Sequence, residues 1–201
     1  MIVNGKHYLT LWWENGAIHL IDQNKLPFIF DVMVCRTWEE TAEAIRNMNV
    51  RGAGAIGAAA GFAMAQAFLQ ASSINKDEYL LAARAAIEAT RPTARDLFFA
   101  TQRVSACSNT EEAIREAQGI AAENSEEGRL IGIFGEPLIK DGMGILTHCN
   151  AGWIAFVDYG SALSPIYEDK RKNKDFTVFV DETRPGCQGA RLTAWELGNE
   201  N

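Results

Sequence analysis

The sequence predicts an α/β fold in three successive parts: a small N-terminal antiparallel sheet, a helical region, and the opening of a parallel domain. Three observations carry this. Residues 7 to 30 run in short β-type stretches around Asn15-Gly16. From Thr37 onward apolar residues recur at helical spacing, with no strand signal before Gly128. After Gly128 two apolar runs, "GILTHC" and "FTVFVDE", alternate with helical segments, which is how a Rossmann-like parallel sheet begins. The expected division is therefore an N-terminal sheet and helical domain over 1-128 and the first part of a Rossmann-like α/β domain over 129-201.

Each element has its own signal. Asn15-Gly16 lies between "LTLWWE" and "AIHLI" and supplies the positive φ angles of a tight hairpin turn. Thr37, followed three residues later by Glu40, forms a capping box that opens a helix over "WEETAEAIRNM". Further helices are expected over 55-72, 77-90, 93-106 and 109-127. In the second part "YGSALSPIYEDKRK" reads as a helix with Pro165 in its first half, and "GARLTAWELGNE" as another. Only two strands are clear, and a parallel sheet needs further neighbours and cover on both faces, so the sheet is expected to be unfinished at Asn201.

Composition narrows the function classes. With 47% hydrophobic residues, five Trp and ten Phe, the 201 residues can bury a core and are not a disordered chain. A net charge of -7 argues against a polyanion binder, because nucleic-acid affinity comes from clustered Lys and Arg, and no nucleic acid is expected as a partner. The one basic cluster, Lys170-Arg171-Lys172 with Lys174, follows a helix and is read as its solvated last turn. Residues 53 to 71 approach the length of a membrane span but are built from Ala and Gly and include Gln66 and Gln70; a helix buried in protein is expected, and no membrane. The start "MIVNGKHYLT" has no signal-peptide pattern, which points to the cytoplasm. Cys35, Cys107, Cys149 and Cys187 are scattered and expected to be reduced.

Four places carry candidate chemistry. Gly52, Gly54 and Gly57 match a dinucleotide fingerprint, but the preceding segment reads as helix where the fingerprint requires a strand. Close packing of small residues explains the glycines. So does a phosphate held by helix N-terminal N–H groups beside Arg51. Arg91 precedes Pro92-Thr93 at a second helix start and is either a surface charge or an anion ligand. Cys149 follows the first apolar run, at the end where open α/β sheets bind ligands. Asp181 and Glu182 occupy the equivalent end of the second run, with Arg184 and Gln188 after them. His148 is a candidate base, whereas His7 and His19 look structural.

The segments "RGAGAIG", "RPTA", "THCNAG" and above all "VDETRPGCQGARLTAWEL" resemble the signature segments of the methylthioribose-1-phosphate isomerases, relatives of the regulatory subunits of translation initiation factor 2B. The resemblance implies an aldose-ketose isomerase of methionine salvage in which Arg51, Gly52, Ala53 and Arg91 bind the substrate phosphate. It implies that Gln188 contacts the sugar and that Cys149 lies at the reacting centre. It implies no metal and no cofactor, a sugar phosphate as small-molecule partner, and a homodimer. Gly54 stands where the family usually has Pro. The family's catalytic Asp belongs to a later strand and has no counterpart before Asn201, so the isolated chain is expected to be inactive; a separate C-terminal fragment, a cleaved chain and a truncated gene remain open as sources of that segment. A non-catalytic sugar-phosphate-binding regulatory subunit is the alternative, against which the cysteine motif counts. Trp153 either narrows the pocket, which would favour 5-deoxyribose 1-phosphate over the methylthio sugar, or fills the core.

Overall fold

The chain begins with two short antiparallel strands, β1 (Ile2–Val3) and β2 (Lys6–His7), followed by a three-stranded antiparallel sheet of β3 (Leu11–Glu14), β4 (Ala17–Ile21) and β5 (Val32–Cys35). These positions come from a computed structural model that describes residues 1–172 and 174–200. The turn chemistry does what the sequence requires. Asn15 and Gly16 take φ of 50° and 83°, and the register Glu14 opposite Ala17 leaves a two-residue loop. Strand β5 lies beyond the expected β region. Its inner residue Cys35 is fully buried while its other residues are partly covered, so the alternation is weak in the sequence.

Five helices follow: α1 (Trp38–Arg46), α2 (Ala53–Gln70), α3 (Lys76–Glu88), α4 (Arg95–Ser105) and α5 (Thr110–Gly135). The capping box at Thr37 and Glu40 is present, with the Thr37 hydroxyl accepting the Glu40 N–H at 3.2 Å. Helix α2 is the hub, enclosed by α1, α3, α4, α5 and the three-stranded sheet. Its run of Ala and Gly lets those neighbours approach, and it is enclosed by protein along nearly its whole length. An unbonded amide buried there would cost roughly 1–3 kcal/mol. Gln66 avoids that cost: its Nε2 donates to Cys35 O at 2.9 Å and to Gly16 O at 3.3 Å, and its Oε1 accepts from Thr41. The polar residue thus ties the hub to the sheet.

Helix α5 continues well past residue 127, where the sequence suggested it would end. Gly128 and Gly132 are packing positions: a Cβ on Gly128 would sit 2.6 Å from Gly160 O, and one on Gly132 2.6 Å from Ser164 Oγ. These glycines are the contact surface for the next helix and the turn before it. That helix, α6 (Ser164–Arg171), is shorter than expected, because Tyr159 and Gly160 have positive φ and Pro165 stands at its first turn. Strands β6 (Met143–His148) and β7 (Phe176–Asp181) pair in parallel, Met143 opposite Phe176 through His148 opposite Asp181. A π-helical turn over Gly189–Thr193 leads into α7 (Ala194–Asn199). One face of the strand pair meets a second core containing Trp153, Leu163, Ile166, Tyr167 and Leu192, to which Met1, Val3, Ile21 and Leu26 also belong. The other face leaves Leu146 and Phe179 exposed.

Lys170, Arg171 and Lys172 are exposed at the end of α6, as expected of a solvated last turn, but Lys174 departs from that expectation. Lys174 lies 2.6 Å from Glu136 and 2.6 Å from the fully buried Asp169, and donates to Ile139 O at 2.9 Å. It clamps the end of α5, the end of α6 and the start of β7 together. Lys172 adds a second contact to Glu136, and the two ammonium groups pull that carboxyl down to about 2.

Candidate functional site

The site begins where α2 begins. Gly52 has φ 97°, and a Cβ there would lie 2.3 Å from Ala155 Cα. Only glycine allows the segment after β6 to cross the helix start so closely. No side chain caps α2, so its first-turn N–H groups and the positive end of its macrodipole are turned toward this crossing. Ala53 is exposed and can contribute here only through its backbone N–H.

Arg51 is buried beside Gly52. Its Nη2 donates to Gln23 O at 3.1 Å, and Gln23 in turn donates to Ile154 O at 2.9 Å. Burial pushes the Arg51 guanidinium below its usual value, and the charges of Arg191 and Arg91 push the same way, while Cys149 acts in the opposite direction. Arg191 is held by Asn24 O at 2.7 Å and Leu26 O at 3.2 Å. Three guanidinium groups therefore share one region. Arg51 Nε and Arg91 Nη1 are buried and have no hydrogen-bond partner among the described residues. Buried cationic donors without partners form a site that favours an anion.

A cavity of about 130 Å³ joins these groups to the ends of the later elements. Arg51, Gly52, Arg91, Cys149 and Gln188 all line it, as do Asn150 and Leu192. Arg51 and Arg91, forty positions apart in the sequence, thus face one cavity. Gln188 is steadied by Thr183, whose hydroxyl donates to the Gln188 side chain and accepts the Gln188 N–H at 3.3 Å. A larger cavity of about 350 Å³, bounded by Tyr167, Val178 and Leu197, contains none of the candidate catalytic or substrate-binding residues read from the sequence.

Cys149 follows β6 in a left-handed conformation, φ 64°, which is uncommon for a residue with a side chain. Its carbonyl accepts the Thr193 hydroxyl at 2.6 Å. Asn150 Nδ2 donates to Thr193 Oγ1 at 3.0 Å and to Glu196 Oε1. Glu196 is fully buried, and its second oxygen accepts Ile154 N at 3.1 Å and Tyr167 OH at 3.2 Å. Burial lifts the Glu196 carboxyl to about 7; the donors from Asn150, Ile154 and Tyr167 oppose that rise. Gly152 is required beside this cluster, since a Cβ there would meet Glu196 Oε2.

Other sequence candidates have different places. Glu182 is structural: its carboxylate accepts the N–H groups of Ala190 and Gly189 at 3.0 Å and holds the start of the terminal helix. Those N–H groups, Ala190 first, lower its pKa. His148 Nδ1 lies 3.7 Å from Asp181 Oδ2, and both side chains are exposed and outside the cavity. Arg184 is likewise exposed. His19 pairs with Glu14 and stacks on Trp12, and His7 pairs with Asp158. Trp153 is fully buried, 6.2 Å from the Trp195 ring, and does not line the cavity, which favours the core-filling alternative. The glycine fingerprint follows α1 and a loop, not a strand, and its Gly54 is packed against Asn124 and Phe156. Among the described residues no group of three or more His, Cys, Asp or Glu could hold a metal ion.

Sequence reasoning passed over Met48, Arg191, Thr193 and Glu196. The signal available for Glu196 was an acid between Leu192, Trp195 and Leu197 in an otherwise apolar helix face, a position where a carboxyl must find donors.

The chain is similar to proteins of known sequence and structure. Methylthioribose-1-phosphate isomerase 1 of Pseudothermotoga lettingae is 41% identical over 200 residues, covering 94% of this chain and 58% of that protein. The crystal structure of 5-methylthioribose 1-phosphate isomerase from Pyrococcus horikoshii OT3 superposes with a TM-score of 0.86 at 37% identity, over 98% of this chain and 58% of that one. Translation initiation factor eIF-2B, subunit delta, from A. fulgidus gives a TM-score of 0.85 at 38% identity, over 96% of this chain and 59% of that one. The chain thus spans a little under three fifths of the length of the curated relatives it matches. The family model for initiation factor 2 subunits matches residues 49–201, the stretch that holds every residue lining the cavity except Met48, and the chain belongs to that family.

Proposed function

We propose that this chain forms the substrate-phosphate and cysteine half of an aldose-ketose isomerase acting on methylthioribose 1-phosphate, or on a closely related 5-substituted ribose 1-phosphate such as 5-deoxyribose 1-phosphate. The observation that carries the reading is the single cavity shared by Arg51, Arg91, Cys149 and Gln188, with two buried guanidinium N–H donors lacking partners among the described residues. The arginines and the α2 N–H groups bind the phosphate and so fix the sugar, which lowers the entropic part of the barrier. Phosphate on the anomeric oxygen prevents free opening of the ring. An acid therefore protonates the ring oxygen, and hydrogen then moves from C2 to C1 as the C2 hydroxyl becomes a carbonyl. Cys149 stands beside those carbons, Gln188 contacts the sugar, and the acid is assigned to the part of the full-length relatives that this chain does not match. The protein is proposed to act in the cytoplasm as a homodimer.

A regulatory subunit is the second reading, favoured by the likeness to the eIF-2B delta subunit. The test is to incubate the full-length protein with methylthioribose, 5-deoxyribose and ribose 1-phosphates and to follow ketose formation by NMR. Isomerisation with a preference for the methylthio or 5-deoxy sugar supports the enzyme. Binding of the sugar phosphates without turnover supports the regulatory subunit and overturns it.

A further inference from the structure

We propose that Glu196 is a positioning residue for Cys149, acting through the hydrogen-bond polarity of Asn150 and Thr193; the inference rests on the proposed isomerase reading. Glu196 touches no part of the cavity, yet its carboxylate ends a relay that reaches the Cys149 carbonyl in two side chains. The Glu196 carboxyl accepts at both oxygens, from Asn150 at Oε1 and from Ile154 N–H and Tyr167 OH at Oε2. It therefore obliges Asn150 to present its amide nitrogen, not its oxygen. That nitrogen's second hydrogen goes to Thr193 Oγ1 at 3.0 Å, so the hydroxyl must accept there and spend its one hydrogen on Cys149 O at 2.6 Å. Cys149 is held at φ 64° by this bond, a conformation that persists only when its surroundings fix it.

If the acceptor were replaced by a group that donates, the Asn150 amide could turn over. Thr193 would then donate to the Asn150 oxygen, and the Cys149 carbonyl would lose its partner. The thiol-bearing residue would be freed while the phosphate-binding arginines stayed in place. Further contacts keep the Glu196 carboxylate where the relay needs it, since Ile154 N–H and Tyr167 OH occupy its far oxygen and Gly152 leaves it room. Burial raises its pKa, and the donors from Asn150, Ile154 and Tyr167 act against that rise.

The test uses the full-length protein with Glu196→Gln and, in a second protein, Thr193→Val, which removes the hydroxyl with little change of shape. Two readouts are taken from folded material: kcat and KM for methylthioribose 1-phosphate, and the iodoacetamide alkylation rate of Cys149 measured by peptide mass spectrometry. Each variant is expected to lower kcat at least tenfold with KM within about threefold, and to change the alkylation rate at least threefold. The exchange Asn150→Asp with Glu196→Gln restores a bonded pair but leaves Thr193 facing an acceptor, so it is expected to stay slow. Recovery of kcat by that exchange would show that the pair matters only as a strut, and would overturn the polarity relay. If Glu196→Gln does not fold, Thr193→Val decides; wild-type kcat and alkylation in that variant overturn the proposal. A wild-type protein that turns over no sugar phosphate refutes the isomerase reading instead, and the alkylation rates still test the relay.

Discussion

Arg51 and Arg91 were legible in the sequence as cations near helix starts, but their meeting was not, because nothing in the local pattern says which helix starts adjoin. The meeting depends on Gly52 letting the Ala155 segment cross α2 and on the loop between α3 and α4 bringing Arg91 to the same cavity. In the proposed site, Arg91→Ala removes a donor to the anion while leaving Cys149 in place. It should raise KM for the sugar phosphate by roughly tenfold to a hundredfold, the worth of one charge-assisted contact, with a smaller change in kcat. Titration of inorganic phosphate as a competitive inhibitor provides the check: unchanged inhibition in the variant would remove Arg91 from the anion site. Glu196 makes a second prediction at this scale. Its folded pKa, about 7, lies above that of an exposed glutamate, so the folded state binds the extra proton between the two values. Stability from this group is full below about pH 4.5 and is lost as pH rises through 7, on the order of 3 kcal/mol in all. Tyr167 from α6, itself raised by burial, is the ionisable group in contact with it and keeps its proton throughout this window. Denaturant melts from pH 4.5 to 8 should show the decline in the wild type and a flatter profile in Glu196→Gln; parallel profiles would contradict the assignment.

At the scale of elements, local signals served well where the physics is local. The Asn15-Gly16 turn and the Thr37 capping box are complete within a few residues, and both are present. Helix ends set by tertiary contacts were harder to see. Helix α5 continues through Gly128 and Gly132 because those glycines receive the backbone and side chains of residues 158–168, a reason invisible in the helix's own sequence. Lys174, read with the solvated turn after α6, departs from that reading for the same reason. It answers Asp169 and Glu136, which come from two other segments. Removing one partner of a buried pair leaves an uncompensated charge, so Lys174→Met should cost about 3 kcal/mol through Asp169. Chemical denaturation measures it, and a loss under 1 kcal/mol would show the clamp to be dispensable.

At the scale of the molecule, the order of parts was readable because the period of the apolar pattern changes twice, from strand to helix and back to alternating strand and helix. The sharing of the second core by both ends of the chain was not readable. Met1 and Val3 pack with Trp153 and Leu192, so the first strands support the turn that carries Cys149. The proposed phosphate-binding residues and the cysteine adjoin different cores that meet at one cavity, which, under the proposed function, separates holding the substrate from acting on it. That separation is the central claim, and Cys149→Ser in the full-length protein tests it most directly, with kcat for methylthioribose 1-phosphate and the dissociation constant of the sugar phosphate measured side by side. The account predicts a fall in kcat of at least a hundredfold, with the dissociation constant within about threefold of the wild type. Equal losses in both, or unchanged turnover, would contradict it and leave Cys149 a packing residue beside an anion site.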